Sequence, residues 1–85
     1  MSVRAKFIVH SITRTQGGTY KESKWIPQEV QTIRLIPVAG SSEENKAFFA
    51  STPSGSIDLG TINIEAARQF DLNKEYYVDF TPATA

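Results

Sequence analysis

KAFFASTPSGSIDLGTINI, residues 46–64, is the stretch whose reading decides the fold. Its flanks, Ala47-Phe48-Phe49-Ala50 and Ser56-Ile57-Asp58-Leu59, are apolar or alternating, as strands are. Between them, Thr52-Pro53-Ser54-Gly55 has the residues of a type I turn. Proline presets φ at its second position and glycine relieves crowding at its fourth. The apolar parity then slips, with Ile57 and Leu59 on one face and Ile62 and Ile64 on the other. A β-bulge at Gly60 accounts for such a one-residue slip, and bulged strands bend. The stretch predicts a small, strongly curved β-domain whose partner strands come from the rest of the chain.

On the N-terminal side, EVQTIRLIPV at 29–38 is the most β-branched run and the best central strand. Pro37, which lacks a donor, ends it, bulges it or puts it at an edge. Residues 39–45 read as a turn-rich loop exposing Glu43 and Glu44. At the start, Val3, Ala5, Phe7 and Val9 alternate with Arg4, Lys6, Ile8 and His10 in a first strand that continues through Ile12 and Thr13. RTQGGTYKESKWIP at 14–27 is too polar for a core and forms an arm, either an extended hairpin tip or a mobile loop. Gly17-Gly18 permits positive φ and a sharp reversal within it.

On the C-terminal side, Asn63 caps a short helix over 64–70, with Glu65 against its N-terminal dipole and Ile64, Ala67 and Phe70 facing the core. Asp71 to Lys74 turns the chain. A last strand over 75–81 sets Tyr76, Val78 and Phe80 against Tyr77 and Asp79. Four strands, a short helix and a fifth strand make an all-β domain. The expected solution is a five-stranded, small, curled or closed antiparallel barrel of the oligonucleotide-binding or SH3 type, because closure removes exposed edges. Residues 1–85 form one such domain, with the arm at about 14–27.

Composition narrows the function classes. The chain has 85 residues, 40% of them hydrophobic, and no cysteine, so no disulfide or thiolate metal site staples the core. No run approaches the roughly 20 apolar residues of a membrane helix, and no signal-like segment opens the chain. The net charge is zero, but up to Arg34 six basic residues stand against two acidic ones, a net +4. From Leu35 onward three basic residues face seven acidic ones, a net −4. The result is a basic arm on an acidic body, unless the fold mixes the charges.

Enzymatic chemistry is not expected. His10, the one histidine, has no nucleophile or carboxylate beside it in sequence, and the adjacent Glu43 and Glu44 share one environment rather than the two that acid–base work needs. Asp58 and Asp79 facing each other across strands make a weak metal pair, and Gly17-Gly18 lacks the lysine and helix of a phosphate loop. Neither a cofactor nor a metal is expected.

The arm interleaves Arg14, Lys21 and Lys24 with Tyr20 and Trp25. Cations and flat rings together are what single-strand nucleic-acid or nucleotide binders use, since every base offers a π-face and every linkage a charge. Alternatively, Tyr20 and Trp25 fold back as a minicore. Phe48-Phe49 and Tyr76-Tyr77 are consecutive pairs whose members point to opposite faces of a strand. This leaves Phe48, Phe49 and Tyr77 as interface candidates and favours self-association, as a dimer. Two classes follow: a nucleic-acid or nucleotide-binding accessory protein, or a structural or interaction protein with a virion or host-protein partner.

At SEENKAFFASTPSGSIDL (42–59) and NKEYYVDFTPA (73–83), with the opening VRAKF and the Leu35-Ile36-Pro37-Val38 strand, the chain resembles a group of small, uncharacterised proteins of tailed bacteriophages. The resemblance implies a phage origin, and so the cytoplasm of an infected bacterium, or the virion if the role is structural. It carries no catalytic or binding residues.

Overall fold

Two long strands, β1 (Val3–Lys21) and β2 (Lys24–Pro37), pair antiparallel along almost their whole length in the computed structural model, which describes residues 3–61 and 63–84. The ladder runs from Phe7↔Pro37 out to Lys21↔Lys24 and closes through Glu22 and Ser23, whose φ values are +51° and +65°. Two positive φ values in a two-residue loop are those of a type I′ turn, whose twist matches the strands. The reversal expected at Gly17-Gly18 therefore lies five residues further on, and both glycines are extended. Pro37 does end its strand.

The register slips once, between Val9 and Ser11, leaving His10 exposed on a bulge. Parity changes there, so the core face passes from Ala5, Phe7 and Val9 to Ile12. The bulge expected at Gly60 is absent. In β3 (Ile57–Thr61), Gly60 pairs in register with Thr32. The apparent slip arose because the strand stops at Thr61 and Asn63 already caps a helix; Ile62 lies outside the described residues.

Residues 46–51 are not a strand. They belong to helix α1 (Glu43–Ser51), which leaves four strands rather than five. Ser42 is its N-cap, its hydroxyl accepting from the Asn45 N–H at 3.1 Å, and Glu43 and Glu44 sit in the first turn where the dipole favours them. Pro53 disfavours helical backbone at Thr52, and the helix ends there. The expected Thr52–Gly55 hairpin turn is instead a helix-to-strand connection, with Gly55 at φ +135°.

β4 (Glu75–Phe80) completes one antiparallel sheet in the order β3-β2-β1-β4. Both β3 and β4 are edges and do not meet, so the sheet is open and the barrel is not formed. The helix capped by Asn63, α2 (Ile64–Ala67), is shorter than expected: Ala67 is buried and Phe70 packs on the core, while Ile64 is exposed. Val9, Ile33 and Leu35 are at most 2% exposed at the centre of the apolar face. The Phe70 loop is held over that face by Tyr76, whose hydroxyl donates to the Gln69 carbonyl at 2.7 Å and accepts from the Asp71 N–H at 3.2 Å. α1 sits on the opposite, polar face.

Candidate interaction surfaces

β3 supports β2 only from Leu35 to Gln31, and β4 supports β1 only from Val3 to Ile8. Beyond the Arg14↔Gln31 rung no further strand among the described residues pairs with the hairpin. Seven further rungs at about 3.4 Å each carry it roughly 24 Å outward. The molecule is accordingly 52 × 34 × 20 Å, with a radius of gyration of 16.0 Å. A compact chain of this length has about 12 Å. The expected arm exists as an extended hairpin, not a loop folded back on the body.

Directly paired residues share a face, and neighbours along a strand alternate. Tyr20 and Trp25 pair at the last rung but one and meet edge to face, with centroids 5.1 Å apart. Trp25 also lies over Gly18, where a Cβ would come within 2.6 Å of the indole, and Gly17 makes the same room for Val30. The glycines are receiving sites for cross-strand side chains. Even so, Tyr20 is 73% and Trp25 53% exposed, so the expected minicore amounts to the two rings alone. Lys21 and Lys24 pair at the final rung and fall on the other face, without a carboxylate partner among the described residues. Arg14 shares the ring face but stands six residues back, tied to Glu29 at 2.5 Å. The five arm residues are thus gathered on one element, but the cations and rings do not form one interleaved surface.

The apolar face of the sheet is only partly covered. Leu35, Ile57, Leu59, Phe70, Tyr76, Val78 and Phe80 line a groove of about 460 Å³ that crosses the sheet, with Leu59 44% and Phe80 55% exposed. Alternation at 57/59 and 76/78/80 signalled these residues in the sequence. An open groove was not foreseen, because a closed barrel would have buried them.

The polar face is occupied by α1. Lys6 Nζ reaches Glu44 Oε2 at 2.5 Å and Glu75 Oε1 at 3.3 Å, and the Tyr77 hydroxyl donates to the Glu44 carboxylate at 3.0 Å. Hydrogen bonding to Lys6 and then to Tyr77 holds the Glu44 carboxyl below the usual range, and hydrogen bonding to Glu44 raises Lys6 against its burial. Asn45, 2% exposed, donates Nδ2–H to Glu75 at 2.9 Å. Arg4 grips Asp79 through two bonds of 2.7 and 3.0 Å and lies over the Tyr77 ring, which raises the guanidinium and lowers the carboxyl. This network pins the helix. It places Phe48 against Tyr77 (6.1 Å) within the chain; of the three interface candidates, Tyr77 still leaves 51% and Phe49 44% of its surface exposed. Asp58 sits near Arg34 on β3, at the far edge of the sheet from Asp79, so the two acids do not oppose each other.

Compared with family models, with curated proteins and with solved structures, the chain matches none.

Proposed function

We propose that the protein is a non-enzymatic structural or interaction subunit that associates with further copies of itself through its hairpin arm. One observation carries this: a ribbon of about 24 Å, unsupported by neighbouring strands, ends in two aromatic rings left 73% and 53% exposed. A two-stranded ribbon alone is marginally stable in water. Tyrosine and tryptophan exposed side by side are the residues that dominate protein contacts when buried. An open sheet with a partly uncovered apolar face gives the same molecule a second surface to bury. With the resemblance to tailed-phage proteins, the assembly it joins is a phage one.

Light scattering on the purified chain tests the proposal. The wild type is expected well above 9.4 kDa at micromolar concentration, and the Tyr20→Ala/Trp25→Ala chain at the monomer mass. A wild type at 9.4 kDa throughout would contradict it.

Contact of the same tip with single-stranded nucleic acid is the second reading, supported by the exposed rings and by Lys21 and Lys24. It predicts quenching of Trp25 by an oligonucleotide at low salt, with the affinity falling as salt rises. A lysine pair directed away from the rings, and a net charge of zero, support it less.

A further inference from the structure

The arm and the groove are complementary, and one chain cannot bring its own together. The ladder runs without a break from Ser11↔Arg34 to Lys21↔Lys24, so the tip is carried away from the sheet. We propose that the arm tip of one copy seats Trp25 and Tyr20 in the apolar groove between β3 and β4 of a second copy. This rests on the self-association proposed above and names the two surfaces that meet.

Size, polarity and charge agree. At about 460 Å³ the groove lies within the range of roughly 300–1,000 Å³ of clefts that bury ring-sized groups. Its walls are aliphatic and aromatic, with Tyr76 and Phe70 already stacked at 5.3 Å on one side. The tip brings two rings of about 150–250 Å² each. Lys21 and Lys24 flank the turn that would lead the way in. Asp71 follows the groove residue Phe70 and donates its backbone N–H to the hydroxyl of the groove residue Tyr76 at 3.2 Å. Of the five acidic side chains in residues 57–81, Asp58, Glu65, Glu75 and Asp79 face Arg34, Arg68, Lys6 and Arg4, which leaves Asp71 without a cation partner among the described residues, whereas Lys21, Glu22 and Lys24 give the tip a net +1. The fold otherwise mixes the charges of the two halves through Arg4, Lys6 and Arg34, so the attraction left to a second copy is that between the lysines of the tip and Asp71. The two surfaces differ, so the contact is heterologous: it builds a ring, a filament or a reciprocal pair.

Complementation decides it, because Trp25 is the chain's one tryptophan. Trp25→Ala leaves a copy with a groove and no anchor. Leu59→Lys, or independently Phe80→Lys, leaves a copy with an anchor and no groove; both positions are exposed enough to change without unfolding the sheet, which circular dichroism checks. Each variant alone is expected to have a dissociation constant raised about thirtyfold or more, as for loss of a central anchor. Mixed, they should form a pair of one copy each, and the emission of Trp25, now contributed by the groove-blocked copy alone, should shift to the blue. If the wild type associates but mixing leaves that emission unchanged, arm-to-groove docking is wrong while self-association stands. If the wild type is monomeric, both fall.

Discussion

Gly18 and Gly60 look alike in the sequence and differ entirely in the fold. At Gly18 a methyl group would meet the Trp25 ring and the Ile26 carbonyl oxygen, both within 2.6 Å, whereas at Gly60 nothing lies within 4 Å. Gly18→Ala should cost the arm about 1–3 kcal/mol, as overpacking does. The expected record is faster amide exchange confined to 14–31, with the core amides unchanged. Gly60→Ala should stabilise the whole chain by about 0.4–1 kcal/mol by restricting the unfolded state, seen as a raised melting temperature. A loss of stability at Gly60 would restore the bulge that the apolar parity had suggested. Spacing alone located both glycines but not their roles, because those depend on which cross-strand side chain lies above each one.

At the scale of the element, strands that stand on long alternations were legible: the first strand, the central strand up to Pro37, and Tyr76/Val78/Phe80 in the last. α1 was misread because Ala47-Phe48-Phe49-Ala50 is apolar in either conformation; Ser42 as a cap, followed by Glu43 and Glu44 in the first turn, was the helix signal. Ser42→Ala should cost about 1 kcal/mol, measurable as a lowered denaturation midpoint. The docking of α1 also depends on pH. Glu44 is depressed in the folded state, so its contribution is present above the ordinary glutamate value near 4.3 and is lost as pH falls through the folded value. Lys6 is raised, so its contribution is fully present below the ordinary lysine value near 10.4 and is lost as pH rises through the higher folded value. Helical ellipticity should therefore hold through neutral pH and fall at the acid end, and Lys6→Met should weaken that acid step, leaving the part due to the Tyr77 hydrogen bond. In the arm, Glu22 and Ser23 occupy positive-φ positions that Asn-Gly adopts more readily. Replacing the pair by Asn-Gly should slow exchange of the arm amides about fivefold or more, since each non-glycine residue there costs roughly 1 kcal/mol.

At the scale of the molecule, the sequence pointed to an all-β domain with an arm but not to an open sheet. Closure was inferred from five strands, and with residues 46–51 helical there are too few to bring β3 and β4 together. An open sheet with a partly covered apolar face and a projecting aromatic tip suits the subunit role proposed above, which requires that tip to be buried between molecules. Dilution of the wild type, followed by Trp25 emission and by light scattering on the same samples, tests this most directly. The prediction is a shift of the emission to the red in step with a fall of the mass toward 9.4 kDa. Emission of a solvent-exposed indole at every concentration, with the mass fixed at 9.4 kDa, would contradict it.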